Sequence, residues 1–100
     1  MTWGTQNDAA DVDAQLSRAL EAGVNFVDTA EMYPTTPRRP ETHGDTERVI
    51  GRWLARSGRR DDIVLATKVN GNGHEPDDDI TGAKLRASLE GSLERLGTDR

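Results

Sequence analysis

Three side chains that can take part in proton transfer lie near the ends of two apolar segments. Asp28 and Tyr33 belong to the stretch VDTAEMYP, and Lys68 ends the stretch IVLATK. An ammonium beside a phenol stabilises the phenolate and lowers the pKa of a tyrosine from about 10 toward neutrality. Such a phenol can donate a proton near pH 7, and a carboxylate beside the lysine holds the ammonium in place. These residue types suit protonation of a carbonyl group that is receiving a hydride.

Each of the three residues also has an ordinary structural explanation. An aspartate at the end of a strand often forms a turn with the backbone that follows it, and a lysine there often carries its charge into solvent. A tyrosine before a proline is often a packing residue. Because charged clusters are frequently structural, the pattern alone favours this explanation and leaves the catalytic one open.

The apolar residues predict helices that alternate with short buried strands. Helical spacing marks residues 8–22, 45–57 and 81–96. The β-branched segments at residues 24–28 and 63–68 have the composition of parallel strands that are covered on both faces. The order helix, strand, helix, strand, helix implies an α/β fold with parallel strands joined by right-handed crossovers.

Capping residues and glycines delimit these predicted helices. Asn7 or Asp8 is available to cap the first helix and Thr81 to cap the third. Gly23 and Gly58 follow the first and second helices, as expected of residues that end a helix. The apolar stripes of the second and third helices are predicted to form the core: Val49, Ile50, Trp53, Leu54, Leu85, Leu89, Leu93 and Leu96.

The predicted connections differ in length at the two ends of the strands. The helix-to-strand turns are short, whereas the strand-to-helix loops cover residues 29–44 and 69–81. Loops longer than about 2 to 6 residues are commonly functional, and α/β folds place their sites at the carboxyl ends of strands. Asp28, Tyr33 and Lys68 therefore lie at the end where a site is expected.

The composition argues against several classes of protein and site. A chain of 100 residues suits one small domain, and the lack of cysteine excludes disulfides and thiolate metal sites. The net charge is −5 with scattered basic residues, so nucleic acid is not expected as a partner. No stretch approaches the roughly 18 apolar residues of a membrane helix, and a cytoplasmic location is the default expectation.

Three further patterns are better explained without a ligand. GNGH at residues 71–74 resembles a phosphate-binding glycine loop, but Pro76 stands where GxGxxG requires its third glycine. The acidic run EPDDD at residues 75–79 lacks EF-hand spacing and is predicted to be solvated. His43 and Glu47 have no third ligand after them, so both are interpreted as surface residues and no metal site is predicted.

The chain resembles the N-terminal part of the aldo-keto reductases, an NADPH-dependent family built on a (β/α)8 barrel. The resemblance rests on MTWG, on FVDTAEMY followed by ATK, and on SLERLGTD. It implies an N-terminal fragment of a TIM barrel, with residues 1–100 forming about three βα units of an incomplete domain. By that resemblance Asp28, Tyr33 and Lys68 match three of four catalytic residues, Tyr33 being the proton donor, and Asp28, Met1 and Thr2 are expected to bind NADPH.

The resemblance also implies that parts of the family's barrel lie outside this chain. Family members are about three times as long, and MTWG matches the end of their first strand. Their fourth catalytic residue, a histidine, belongs to a strand that would follow Arg100, and neither His43 nor His74 matches it. We therefore expect the 100-residue chain alone to lack reductase activity and to expose strand edges and apolar helix faces.

Three functions stay open at this point. The first is reduction of a small carbonyl substrate, an aldehyde or a ketone, with hydride from NADPH. The second is a regulatory binding subunit, because the family includes potassium-channel β subunits. The third is an inactive truncated fragment, which the ending at Arg100 suggests. The residues identify neither the substrate nor the oligomeric state.

Overall fold

The computed structural model describes residues 1–69 and 80–100, which form helices that alternate with short strands. The glycine loop, the acidic run and His74 lie outside the described residues. Within these ranges, none of the helices is long and apolar enough to cross a membrane. The elements in chain order are α1 (Ala9–Glu21), β1 (Phe26–Asp28), a 3-10 turn (Pro40–Thr42), α2 (Asp45–Ser57), a second 3-10 turn (Arg60–Asp62), β2 (Val64–Ala66) and α3 (Gly82–Leu96).

The first helix begins at a capping box and ends beside a glycine. The Asp8 carboxylate accepts hydrogen bonds from the backbone N–H groups of Ala10 at 2.8 Å and Asp11 at 3.0 Å. The Asp11 carboxylate accepts in turn from the Asp8 N–H at 3.1 Å. These bonds satisfy N–H groups that the first turn of a helix leaves unpaired. Gly23 follows with φ +81°, a conformation that favours glycine, so the predicted limits of this helix are confirmed.

The two strands pair in parallel, with Phe26 opposite Val64. Side chains alternate between the faces of a strand, and Val27 and Leu65 pack against the core. On the other face, Phe26 is 60% exposed and Val64 is 52% exposed. The prediction that both faces are covered is therefore wrong for the described residues. The physical reason is that a barrel covers its inner face with strands from its opposite side, and two strands cannot do this for each other.

The hydrophobic core lies between the sheet and the helices. In α3, Ser92 and Leu96 are buried, whereas Leu85 is 44% exposed and Leu89 is 50% exposed. The predicted stripe of α3 is thus only partly buried, because this helix meets the core through its C-terminal half. The predicted stripe of α2 is confirmed, because all four of its residues lie in the core. The core consists of Val12, Leu16, Val49, Ile50, Trp53, Leu54, Ile63 and Leu96.

The helices α2 and α3 are in close contact at Gly51. A Cβ atom at this position would lie 2.4 Å from the carbonyl oxygen of Arg95 and 3.0 Å from the carbonyl carbon and oxygen of Leu96. A residue without a side chain is therefore needed for the backbones to come this close. The approach brings the Arg95 side chain to the first turns of α2, where its Cδ would be 2.6 Å from a Cβ atom at Gly44.

The segment before α1 is held by helices. Trp3 forms one isolated bridge with Asn7 and does not belong to a strand, so MTWG does not form the predicted strand end among the described residues. The Trp3 indole donates to Gln15 Oε1 at 2.9 Å, and its carbonyl accepts from Thr46 Oγ1 at 2.7 Å. A regular strand requires a ladder of neighbours, and a single bridge does not supply one.

Candidate functional site

The carboxyl ends of β1 and β2 bring the backbones that carry Asp28 and Lys68 side by side. Beyond the paired strands, the Thr29 N–H donates to the Ala66 carbonyl at 2.8 Å. Two residues farther on, the Glu31 N–H donates to the Lys68 carbonyl at 3.1 Å. These bonds extend the parallel register past the strand ends, so Lys68 lies level with the turn that follows Asp28.

The Lys68 ammonium is bonded to two oxygens at the end of β1. It donates to Asp28 Oδ2 at 2.5 Å and to the Thr29 carbonyl at 2.7 Å. It also lies 5.4 Å from the centroid of the Tyr33 ring, within the range of about 6 Å for a cation–π contact. The side chains of Lys68 and Asp28 are 46% and 56% exposed, so both remain open to a small molecule. The structure thus brings the three predicted residues together, and their catalytic roles stay a prediction.

Tyr33 is positioned by the loop of residues 29–44. Its N–H donates to the Ala30 carbonyl at 3.1 Å, and its carbonyl accepts from the Thr46 N–H at 3.2 Å. Thr46 is the second residue of α2, where a helix leaves an N–H without a partner of its own. The next residue, Pro34, is fully buried. The backbone of Tyr33 is therefore anchored on the helix start on one side and on its own turn on the other.

The N-terminal residues border the same region. The Met1 carbonyl accepts from the Thr35 N–H at 3.3 Å, and the Met1 side chain is exposed. The Thr2 hydroxyl donates to the side-chain carbonyl of Asn7 at 3.0 Å. A cavity of about 290 Å³ beside β1 has Trp3 and Asp28 in its wall together with residues of α1. That Asp28, Met1 and Thr2 bind a cofactor stays a prediction.

The interpretation of Glu47 as a surface residue is wrong. Glu47 is fully buried, and its Oε1 accepts from Thr67 Oγ1 at 2.6 Å while its Oε2 accepts from Arg95 Nε at 2.6 Å. We call these three residues the buried cluster. The sequence did carry a signal for it, because Glu47 precedes Ile50 by three positions and Leu54 by seven and so lies on the apolar stripe of α2.

Two carboxylates in and beside the site are paired with cations. Asp28 is bonded to Lys68 and Glu47 to Arg95, while the His43 carbonyl accepts from the Arg48 guanidinium at 2.9 Å. Across residues 1–69 and 80–100, no group of three or more histidine, aspartate or glutamate side chains is placed to hold a metal ion. The described site is therefore made of ion pairs, hydroxyl groups and one phenol.

Comparison with known proteins gives a consistent assignment. Residues 1–100 match the model of the Aldo/keto reductase family. The chain is 46% identical over 105 residues to Protein tas of Escherichia coli (strain K12). This alignment covers 99% of this chain and 30% of that protein. It is 36% identical over 101 residues to a protein of Oryza sativa subsp. japonica named "Probable voltage-gated potassium channel subunit beta", covering 99% of this chain and 28% of that one.

A solved structure shows the same arrangement of elements. A protein of the aldo-keto reductase family from Pseudomonas aeruginosa matches with a TM-score of 0.75 and 32% identity, over 99% of this chain and 34% of that chain. This likeness confirms the predicted fold class, α/β of the TIM-barrel type with parallel strands. The chain spans about a third of the length of the proteins it matches. On the agreement of family model, relatives and fold, the chain belongs to the aldo/keto reductase family.

Proposed function

We propose that the protein carrying these residues reduces an aldehyde or a ketone with hydride from NADPH, and that Tyr33 protonates the carbonyl oxygen. The observation that carries this proposal is the position of the Lys68 ammonium. It lies 2.5 Å from Asp28 Oδ2 and 5.4 Å from the centroid of the Tyr33 ring. A proton donor, a cation and a counter-ion are thus grouped at the carboxyl end of the sheet, where α/β folds bind substrates.

Each of the three side chains has a separate role in one proton transfer. As the Tyr33 phenol gives up its proton, negative charge develops on its oxygen, and the nearby Lys68 ammonium stabilises that charge. The Asp28 carboxylate and the Thr29 carbonyl hold the ammonium through hydrogen bonds of 2.5 and 2.7 Å. Because these bonds exist before any substrate binds, little reorganisation is needed during the reaction. A positioned proton donor of this kind contributes about 10²- to 10⁴-fold in rate.

NADPH, when bound, supplies the hydride that reduces the carbonyl carbon. The groups at this end of the sheet fit its nicotinamide portion, because the Asp28 carboxylate and the Thr2 hydroxyl can bond to amide and hydroxyl groups. The exposed Met1 side chain offers an apolar contact. Asp28, Met1 and Thr2 are the residues that we propose to hold the cofactor. The preference for NADPH rests on the family resemblance, and a cytoplasmic location stays a prediction.

A second candidate function is that of a regulatory binding subunit. The 36% identity to the rice protein named as a potassium channel β subunit favours it. The grouping of Asp28, Tyr33 and Lys68 does not separate the two functions, because a binding subunit of this fold can keep the same residues. Copurification with a channel protein, without turnover of any carbonyl compound, would favour this second function. An inactive fragment would show neither property.

The test compares the protein at its natural length with the 100-residue chain. Consumption of NADPH is followed by absorbance with a panel of small aldehydes and ketones. We expect turnover by the natural-length protein, none by the 100-residue chain, and a rate about 10²- to 10⁴-fold lower in the variant Tyr33→Phe. Arg59→Ala is the control, because Arg59 forms an exposed pair with Asp62 before β2, at the opposite end of the strand from the site.

Three outcomes of this assay contradict the proposal or one of its parts. A Tyr33→Phe variant with the wild-type rate would show that another group donates the proton. Turnover by the 100-residue chain would show that the described residues suffice, against the expectation that the rest of the barrel is needed. If the natural-length protein turned over none of the carbonyl compounds, the proposed reductase function would be wrong.

A further inference from the structure

We propose that Glu47 is a positioning residue for Lys68 and that it acts through the side chain of Thr67. This inference rests on the proposed function, in which Lys68 assists the proton transfer from Tyr33. Glu47 itself does not touch the group formed by Asp28, Tyr33 and Lys68 in any described hydrogen bond. Its influence passes instead through the residue that precedes Lys68 in the chain.

The carboxylate of Glu47 is fixed from two sides. It is fully buried, and its two oxygens accept hydrogen bonds of 2.6 Å, one from Thr67 Oγ1 and one from Arg95 Nε. A buried carboxylate is unfavourable unless it is paired and hydrogen-bonded, so both partners are held firmly. Arg95 is anchored in α3 and also donates to Ser92 Oγ at 3.2 Å. The carboxylate is therefore a rigid attachment point for Thr67.

Thr67 and Lys68 point to opposite faces of the sheet. The Thr67 hydroxyl reaches the helix α2, while the Lys68 ammonium reaches Asp28 and Thr29 on the other face. Neighbouring residues in an extended chain alternate in this way. Holding the Thr67 side chain against α2 therefore sets the rotation of the backbone that carries Lys68, and so the direction of its side chain.

The ion pair of Lys68 and Asp28 does not by itself fix the direction of the Lys68 side chain. The two side chains are 46% and 56% exposed, and exposed pairs contribute little to the order of long side chains. The strand pairing ends at Ala66, one residue before Thr67. Beyond Ala66 one backbone bond, from the Glu31 N–H to the Lys68 carbonyl at 3.1 Å, continues the register. The hydrogen bond from the Thr67 hydroxyl to Glu47 adds a side-chain restraint between these two points, immediately before the residue that must be held.

The experiment measures the chemical reactivity of Lys68 directly. Lys68 and Lys84 are the two lysines of the sequence, and Lys84 is an exposed residue in the first turn of α3. Trace acetylation with acetic anhydride, followed by mass spectrometry, gives the ratio of modification at the two lysines. A lysine nitrogen held by hydrogen bonds to two oxygens is less accessible to the reagent than one that has been released. The measurement requires neither NADPH nor turnover.

Two substitutions of Thr67 form a matched pair. Thr67→Val removes the hydroxyl at nearly constant volume. We expect the ratio of Lys68 to Lys84 modification to rise about 1.5- to fivefold, the factor that corresponds to the free energy of an exposed ion pair. Thr67→Ser keeps the hydroxyl and should keep the wild-type ratio. Val49→Ala removes core methyl groups from α2 without touching Glu47, so it should lower the stability and leave the ratio unchanged.

These outcomes distinguish an effect on the position of Lys68 from a general loss of stability. An unchanged ratio in Thr67→Val overturns the proposal, and so does an equal rise in Thr67→Ser or Val49→Ala. Urea unfolding shows whether each labelled variant is folded, and Thr67→Ala replaces Thr67→Val if the latter is not. In a natural-length protein with activity, Thr67→Val should lower kcat more than it raises KM. If the wild-type protein shows no turnover, the proposed function fails while the labelling result still decides the position of Lys68.

Discussion

Replacing Gly51 by alanine is expected to force α2 and α3 apart. The added Cβ would lie 2.4 Å from the Arg95 carbonyl oxygen, whereas ordinary contact begins at 3.4 Å. It would also lie 3.0 Å from the carbonyl carbon and oxygen of Leu96. Since these are backbone atoms, no side-chain rotation relieves the clash. The helix α3 therefore has to move by about 1 Å at this point, the difference between 3.4 and 2.4 Å.

Two opposing effects set the magnitude of the change in stability. Alanine is favoured over glycine inside a helix by about 0.5 to 1 kcal/mol. Overpacking of a tightly packed interior loses about 1 to 3 kcal/mol. Because the clash at Gly51 involves backbone atoms of α3, overpacking is the larger effect. We expect the free energy of unfolding of Gly51→Ala to fall by about 1 to 2 kcal/mol.

Urea unfolding followed by the circular dichroism of the helices measures this change. The matched control is Gly82→Ala, because Gly82 is also a helical glycine but a Cβ atom there meets nothing within 4 Å. The control should be as stable as the wild type or more stable by up to about 1 kcal/mol. If Gly51→Ala proves as stable as Gly82→Ala, the close contact between α2 and α3 is refuted.

Three further comparisons use the same unfolding assay. Asp8→Ala removes the acceptor that caps α1 and should lower the free energy of unfolding by about 0.5 to 2 kcal/mol; no loss would contradict the capping role. Ile50→Ala, at a fully buried position, should lose about 2 to 5 kcal/mol, whereas Phe26→Ala, at a residue 60% exposed, should lose about 1 kcal/mol or less. Equal losses would contradict the exposure of the sheet face. Arg95→Ala leaves the buried carboxylate of α2 unpaired and should lose about 3 to 5 kcal/mol, whereas Arg56→Ala breaks an exposed pair and should lose less than about 1 kcal/mol. A large loss for Arg56→Ala that persists in high salt would contradict its assignment as a screened surface pair.

The helices could be predicted closely because their limits depend on neighbouring residues. The cap at Asp8 and the glycine at Gly23 mark the ends of α1 without reference to any distant part of the chain. The predicted strands have the correct positions but are too long. The sequence predicts strands at residues 24–28 and 63–68, and the observed strands are Phe26–Asp28 and Val64–Ala66. The length of a strand depends on its partner, and local composition does not contain that information.

One part of the candidate site can also be predicted from local sequence, and another part cannot. The grouping of Asp28, Tyr33 and Lys68 could be predicted because each lies near the end of a strand segment, and parallel strands bring those ends to one edge. The buried cluster was missed because a glutamate and an arginine are usually surface residues in a helix. The position of Glu47 on the apolar stripe of α2 was the one local sign of its burial.

Four features of this protein can be predicted from its amino-acid sequence: the order of helices and strands, the helix caps, the family resemblance, and the edge of the sheet at which the acid, the phenol and the lysine lie. These features depend on periodicity and on residues close in the chain. The burial of Glu47, its bonds to Thr67 and Arg95, and the exposure of Phe26 and Val64 are visible only in the folded protein. The partners of Glu47 are 20 and 48 residues away, and only the packing of the elements brings them together.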